Sequence, residues 1–295
     1  MKPLKRARLA PGSLALLGAL LGSGTPLCAH DHWIQPSSFH PALGERVDVC
    51  LRVGHPGAFE EQIRDPRHFT RFDVLGPAGT KAVPGVDGKA PAGIFRPRDE
   101  GLCLLVFQSD HSFVEIEPGK YAEYLKIEAL EEIQAERERR GETDRPGRDS
   151  FARFDKALVR VGSTGDASGA TDGFDRIVGL PLELVLETDP FTWKQGDALV
   201  FRLEFEGQPL ANRQVKLMRL TAPHTILLAR TDGSGHARFT PEDAGGWVAS
   251  TVHQRRAAPA LALEGDWEGL WASYSCEIGS SALAGASTVA PADAH

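Results

Sequence analysis

The chain has 295 residues, a formal net charge of −7 and 41% hydrophobic residues, which is the composition of a globular protein with a sizeable core. The acidic excess argues against nucleic acid and anionic membrane surfaces as partners and is compatible with gathering cations. The length exceeds what one small β-sandwich needs, so two domains are the natural expectation.

The first 29 residues have the pattern of a secretory signal peptide. Four basic residues lie within residues 2–8, an apolar run covers Leu14–Leu21, and small residues lead up to Ala29. The apolar run is too short to cross a bilayer, and no later segment is long enough, so we expect a protein that is not membrane-embedded. Cleavage after Ala29 would release a periplasmic protein with 29 basic and 40 acidic residues, and therefore a charge of about −11.

Residues 30–161 are predicted to form a first β-sandwich. Apolar and polar residues alternate from Arg46 to Val53, as expected of a half-buried strand. Further strands are predicted at Arg71–Leu75, Gly93–Phe95 and Leu102–Phe107, separated by Gly, Pro and Asp clusters. Helical spacing from Lys120 to Arg140, followed by a second short helix that leads into a strand near Val161, predicts a helical insertion over residues 119–158.

A second sandwich is predicted over residues 175–279, after a small polar linker at 162–174. The sequence Asp232-Gly233-Ser234-Gly235 is typical of a hairpin turn. We expect residues 280–295 to be a disordered tail. Strands are predicted at Leu182–Glu187, Ala198–Phe205, Gln214–Leu220, Thr225–Arg230, His236–Thr240 and Trp247–His253, with a last aromatic strand around Trp267–Tyr274. The predicted fold class is therefore all-β, with two immunoglobulin-like sandwiches and a helical insertion in the first.

Three cysteines remain after the predicted cleavage: Cys50, Cys103 and Cys276. An exported compartment permits a disulfide, and Cys50 with Cys103 is the favoured pair because both lie on predicted strands of the first domain. No CxxC spacing is present, which argues against a thiolate metal site.

The predicted mature terminus carries the strongest chemical signal in the sequence. Cleavage after Ala29 would place a free amine on His30, followed by Asp31 and His32. One arrangement grips a metal ion in a square plane through the amine, two backbone amides and the His32 imidazole, a geometry that Cu(II) and Ni(II) favour. A second uses the amine and imidazole of His30 with one distant histidine, forming a T-shaped histidine brace. Pairing of the terminus into a sheet would favour the brace, because it would protect the backbone amides.

His253 is the best distant candidate for that brace, because it ends a predicted strand where side chains leave the core. His111, in a turn after a core strand, is a weaker candidate. Asp31 is expected to orient one of the metal ligands through a hydrogen bond without binding the metal itself. The remaining histidines of the mature chain are predicted to be solvated in loops or turns: His40, His55, His68, His224 and His236. Phosphate loops, HExxH helices and GxSxG elbows are absent from the sequence, so no catalytic residue is predicted.

Several stretches resemble one bacterial exported family that was long labelled a domain of unknown function. The resemblance rests on Ala29–Phe39, Gly179–Val185, Thr231–Gly233, Val252–His253 and Asp266–Ser273. That family is described as the periplasmic component of cobalt or nickel transport systems. The resemblance implies that His30 is the first mature residue and supports His253 as the strand-end histidine.

The sequence therefore predicts a periplasmic protein that binds nickel, cobalt or copper through His30, with His32 or His253 adding nitrogen, and passes the ion to an inner-membrane importer. Two alternatives belong to other classes. A copper histidine brace could make the protein an oxidative enzyme, and a metal-free adhesion or carbohydrate-binding module would suit immunoglobulin-like sandwiches. In that last case Trp267, Trp271 and Tyr274 would offer surfaces for stacking sugars.

Overall fold

A computed structural model describes residues 30–162 and 173–279. The predicted leader, residues 163–172 of the predicted linker and the predicted tail lie outside these ranges. Strands in the first range are β1 (Asp31–Pro36), β2 (Val47–His55), β3 (Ala58–Gln62), β4 (Phe69–Gly76), β5 (Gly79–Ala82), β6 (Gly93–Phe95), β7 (Gly101–Ser109), β8 (Ser112–Ile116) and β9 (Gly147–Val161). Strands in the second are β10 (Leu182–Leu186), β11 (Leu199–Phe205), β12 (Gln208–Pro209), β13 (Gln214–Arg219), β14 (Ile226–Arg230), β15 (His236–Phe239), β16 (Gly245–Arg256) and β17 (Trp267–Ile278).

The strands form one large sheet and two small ones. The large sheet has nine strands in the order β14-β13-β16-β17-β9-β7-β4-β5, with β8 also pairing with β9. One small sheet contains β1, β2, β3 and β6, and the other contains β10, β11, β12 and β15. The predicted all-β class with two immunoglobulin-like sandwiches is confirmed, and the large sheet contributes to both of them.

The two small sheets pack on opposite faces of the large sheet where β7 and β9 lie. Leu104 and Val106 of β7 belong to the core shared with β10 and β11. Leu105 and Phe107 belong to the core shared with β1 and β2. A strand covered on both faces needs apolar residues at successive positions, which explains the uninterrupted apolar run in β7.

The helical insertion contains two short α-helices, α1 (Pro118–Ile127) and α2 (Glu131–Arg139). They are separated at Ala129, which has a positive φ of 53°. The prediction of a further short helix after Arg140, leading into a strand near Val161, is wrong, because residues 147–161 form the single strand β9. The apolar residues of β9 are buried on both faces of the sheet, so their spacing does not show the period of two that a half-buried strand has.

All the strands predicted in the second sandwich are confirmed, but the predicted hairpin at Asp232–Gly235 is not. The strand before this turn pairs with β13, and the strand after it pairs with β11 in the other sheet. The turn itself is well formed, since the Asp232 carboxylate accepts hydrogen bonds from the N–H groups of Ser234 (2.9 Å) and His236 (3.0 Å). It therefore connects two layers of a sandwich.

The favoured disulfide between Cys50 and Cys103 is not formed, and all three cysteines of the described residues are free and buried. Cys103 lies in the core beneath the first small sheet together with Val49 and Leu51 of β2. Cys50 is between those two residues in sequence, so strand alternation directs its side chain to the opposite face. Burial raises the pKa of Cys50 to about 12 and that of Cys103 to about 11.

Candidate metal centre

Strand β1 brings the start of the described chain into the interior. It runs antiparallel to β2, with Asp31 opposite Gly54 and His32 opposite Val53. Both Asp31 and His32 are buried, at 0% and 2% exposure. Pairing of the terminus into a sheet is the condition expected to favour the brace over the square-planar arrangement. Continuing the register by one step from the Asp31–Gly54 pair would set His30 opposite His55.

Asp31 is the centre of a buried polar cluster. Its Oδ1 accepts hydrogen bonds from Ser250 Oγ (2.6 Å) and Lys216 Nζ (2.8 Å), and its Oδ2 accepts one from His55 Nδ1 (3.2 Å). Burial alone would raise the pKa of Asp31, but the charge of Lys216 and these hydrogen bonds hold it well below its usual range. Asp31 is therefore an ionised carboxylate with three donors around it.

Lys216 also connects this cluster to the helical insertion. Its Nζ lies 2.8 and 3.0 Å from the two oxygens of Glu128, the residue that follows α1. Burial would lower the pKa of Lys216, but its two carboxylate partners raise it above the ordinary value. The pKa of Glu128 is raised, because burial outweighs the effect of Lys216. One ammonium group thus holds two buried carboxylates, and Asp31 is the more strongly ionised.

His30 and His55 lie beside this cluster with their rings in contact. The ring centroids are 5.6 Å apart and the rings meet edge to face. Two imidazoles bound to one ion at the usual metal–nitrogen distance of ~2.0 Å have centroids no more than roughly 6 Å apart, so this separation is compatible with a shared ion. The hydrogen bond from His55 Nδ1 to Asp31 leaves Nε2 as the nitrogen with a lone pair, which is how carboxylates orient metal-binding histidines.

The pKa values of His30 and His55 are shifted in opposite directions from the ordinary value. Burial and the charge of His55 lower the pKa of His30. The hydrogen bond to Asp31 raises the pKa of His55, against the effect of burial. At neutral pH, His30 is therefore the more readily available of the two imidazoles for a metal ion.

His32 occupies a separate site within the core. Its Nδ1 is hydrogen-bonded to Asp155 Oδ2, and its Nε2 lies 3.1 Å from Gln62 Oε1. Asp155 also accepts a hydrogen bond from Ser273 Oγ at 2.7 Å. Both ring nitrogens of His32 therefore already have partners, and its side chain links the first small sheet to the large one.

The structure does not bring His253 to the terminus. Ser250, which contacts Asp31, and His253 are three positions apart on β16, so their side chains lie on opposite faces of the sheet. His253 packs against Phe205 with ring centroids 4.6 Å apart. Burial, with the charges of Arg213 and Arg255, lowers its pKa to about 4. His253 is thus a neutral imidazole between the layers of the second sandwich.

His111 lies in the turn between β7 and β8, as predicted, and its Nε2 donates to Glu268 Oε1 at 2.9 Å. Glu268 also accepts a hydrogen bond from Arg255 Nε at 2.7 Å. His111 is therefore part of an ion-pair group on β16 and β17. The aromatic residues considered for sugar stacking, Trp267, Trp271 and Tyr274, are between 0 and 2% exposed and belong to the core.

Sequence reasoning missed His55, Lys216 and Glu128. His55 ends β2 and was predicted to be solvated, yet half of its side chain is covered and it contacts Asp31. Only the pairing register of β1 with β2 could have revealed it. Within residues 30–162 and 173–279, no group of three or more His, Cys, Asp or Glu side chains has an arrangement that could hold a metal ion. A site here would therefore need the backbone amine of His30 as a further ligand.

A family model described as "Domain of unknown function (DUF4198)" matches residues 27–255. The chain belongs to the DUF4198 family. The match begins three residues before His30 and covers the whole polar cluster around Asp31. No curated protein matches the DUF4198 chain. In the described ranges, none of its helices has the length and apolar character needed to cross a membrane.

Two solved structures are distantly similar to the DUF4198 chain. One is a tetra-tandem repeat from the extending region of a large adhesion protein, at 12% identity and a TM-score of 0.20, covering 84% of this chain and 49% of that one. The other is the D0-D1 domain of intimin, at 12% identity and a TM-score of 0.21, covering 83% of this chain and 97% of that one. The chain thus spans about half the length of the adhesion-protein structure. Such low scores do not bear on function.

Proposed function

We propose that this DUF4198 protein is an exported binding protein for a late first-row divalent ion, namely nickel, cobalt or copper. After cleavage behind Ala29, His30 would bind the ion through its amine and imidazole, and His55 would add a third nitrogen. His55 thus takes the place that the sequence assigned to His253. The observation that carries the proposal is the contact between the His30 and His55 rings. The hydrogen bond from His55 Nδ1 to Asp31 leaves His55 Nε2 for the ion.

Nitrogen ligands of this kind follow a known affinity order in which copper is bound more tightly than nickel or cobalt. Delivery of nickel or cobalt would therefore depend on which metal is supplied and on the partner that receives it. We infer a role in metal uptake, with an inner-membrane importer as that partner. The net negative charge of the chain is compatible with attracting cations to the site.

Calorimetry with Cu(II) and Ni(II) on the exported protein tests the site, after mass spectrometry has shown that His30 is the first residue. We expect micromolar or tighter binding, and at least a tenfold loss in a form that retains Ala29, because an amide nitrogen replaces the amine. Equal affinity of the two forms would refute the terminal site. Acidification towards about pH 5 should weaken binding, because the amine and both imidazoles must release protons.

Histidine variants separate His55 from the other candidates. We expect His55→Ala to weaken Cu(II) binding by about 10- to 100-fold. In the electron paramagnetic resonance spectrum of the bound Cu(II), the nitrogen hyperfine pattern should show the loss of one imidazole. His236→Ala is the matched control, since His236 pairs with Glu187 in the other small sheet. His253→Ala should also retain binding. Loss of binding in His253→Ala with wild-type affinity in His55→Ala would contradict the proposed ligand set.

A further inference from the structure

The open side of the first sandwich contains a cavity of about 700 Å³. It lies between β5, the last strand of the large sheet, and β6, which pairs with β2 at the edge of the small sheet. Its inner wall consists of core side chains, among them Val74, Val83, Phe95 and Cys103. Ligand pockets in proteins commonly have volumes of about 300 to 1,000 Å³ and mainly apolar walls with a few convergent polar groups.

Three cations lie at the rim of this cavity. Lys81, Arg96 and Arg98 all line it and are exposed. None of them forms an ion pair with a residue in the described ranges, and the only side-chain hydrogen bond among them runs from Arg96 Nη1 to the Gly44 carbonyl at 3.4 Å. Asp99 is the one carboxylate of the lining. In a chain with a net charge of −7, this is a local excess of positive charge beside an apolar cavity.

The inner wall offers little to a polar ligand. The thiol of Cys103 is the only polar side-chain group among the four core residues named above, and burial raises its pKa to about 11, so it is uncharged. A sugar or a zwitterion would bury hydroxyl or ammonium groups there without partners, which is unfavourable. A ligand with one anionic end and one apolar end matches both the rim and the wall.

We propose that this cavity binds a free fatty acid of medium chain length, with its carboxylate at Lys81, Arg96 and Arg98 and its acyl chain along the wall formed by Val74, Val83 and Phe95. This binding site is independent of the metal site at His30. Each methylene buried against the wall should strengthen binding about fourfold, until the chain fills the cavity.

Displacement of a fluorescent fatty acid, 11-(dansylamino)undecanoate, tests the proposal on the full-length exported protein. We expect one probe to bind per chain, saturably and below its micelle concentration. Dodecanoate should displace it more strongly than decanoate or octanoate, and dodecanol should compete less well than dodecanoate. Failure of the probe to saturate, or equal competition by octanoate and dodecanoate, would overturn the proposal.

Two variants locate the ligand. The triple variant Lys81→Gln, Arg96→Gln, Arg98→Gln should weaken dodecanoate binding by about tenfold or more, because three weak surface attractions are lost together. The matched control Lys89→Gln, Lys120→Gln, Lys194→Gln removes the same charge from exposed positions that do not line the cavity. Ala82→Phe adds a ring at an exposed position in the lining and should reduce probe binding while leaving thermal stability unchanged.

These variants also separate a pocket ligand from adsorption to lipid. Equal losses in the two triple variants would overturn the proposal, since they would show that only net charge matters. Unchanged binding in Ala82→Phe would place the fatty acid elsewhere. Vesicles of phosphatidylglycerol and phosphatidylcholine provide the last comparison. Sedimentation of the protein with vesicles, in the absence of monomeric fatty-acid binding, would identify a membrane surface as the partner and refute the proposal.

Discussion

Asp149 should make this protein less stable as the pH rises from about 4 to about 7. The residue lies near the start of β9 and is 3% exposed, and its Oδ2 accepts a hydrogen bond from Gln254 Nε2 at 2.9 Å. No cation pairs with it among the described residues. Burial raises its pKa to about 7, and the nearby charge of Glu268 adds to the effect, although hydrogen bonds from Gln254 and the Gly269 N–H oppose it.

The sign of the effect follows from proton binding. Between about pH 4 and pH 7 the folded protein keeps the proton on Asp149, whereas the unfolded chain releases it, so the free energy of unfolding falls as the pH rises. A change in pKa from 3.8 to about 7 corresponds to at most about 4 kcal/mol, at 1.36 kcal/mol for each pH unit. The destabilisation is fully present above the pKa of the folded state.

Replacing Asp149 with Asn keeps the shape of the side chain and removes the ionisable group. We expect Asp149→Asn to be more stable than the wild type by a few kcal/mol at pH 8, and to lose this advantage by about pH 4. Urea unfolding followed by tryptophan fluorescence at several pH values measures the difference. Because other groups titrate in both proteins, the relevant quantity is the difference in unfolding free energy between variant and wild type.

Asp144→Asn provides the control, because it removes the same charge from an exposed position. Its difference from the wild type should stay within about 0.5 kcal/mol at every pH. A difference for Asp149→Asn that does not change between pH 4 and pH 8 would refute the reasoning, since it would show that Asp149 is ionised in the folded protein throughout this range.

Three substitutions and one control test the packing of the protein, each by urea unfolding. Lys216→Met should destabilise the protein by about 3 to 5 kcal/mol, because it leaves two buried carboxylates without their cation, and a loss below 1 kcal/mol would contradict the buried cluster. Gly147→Ala should cost about 2 kcal/mol or more, since a Cβ there would lie 2.3 Å from the ring of Tyr121. Gly233→Ala, where a Cβ meets no atom within 4 Å, should change stability by less than about 0.5 kcal/mol. Phe201→Ala should cost about 3 to 5 kcal/mol, because Phe201 is fully buried in the second sandwich.

Local sequence patterns predicted most of the strands and the position of the helices. The strands of the second sandwich alternate clearly or stand between strong turn residues, so their bounds are close to those predicted. Two of the errors came from places where local pattern and tertiary packing disagree. β9 is buried on both faces and reads locally as a helix, and the turn at Asp232–Gly235 joins strands that belong to different sheets.

The candidate site depends on contacts between distant parts of the chain, which no local pattern reveals. Asp31 meets Ser250 and Lys216 across more than 180 positions of sequence. The sequence of the terminus indicated a nitrogen-rich end, but the choice between His55 and His253 is made by sheet register and strand alternation. A histidine at the end of a strand has the same local appearance in both cases.

The motif Gly179-Leu180-Pro181 is also held in place by a contact with another part of the chain. The N–H groups of Val178, Gly179 and Leu180 donate to the carboxylate of Glu183 at 2.8 to 3.0 Å. The same carboxylate pairs with the buried Lys156 at 2.8 Å. The Glu183 carboxylate therefore fixes the backbone of this segment. The segment is one of those that carry the family resemblance, and its role here is structural.

The position of β17 governs the order in which the molecule can be completed. β17 is the last strand of the described chain, yet it pairs in parallel with β9, with Trp267 opposite Asp149 and Ser275 opposite Ala157. During synthesis, one edge of β9 therefore has no strand beside it until residues 267–278 have left the ribosome. The large sheet therefore cannot be completed until almost the whole described chain has been synthesised, and pairing over such a long sequence separation makes this final step of folding slow.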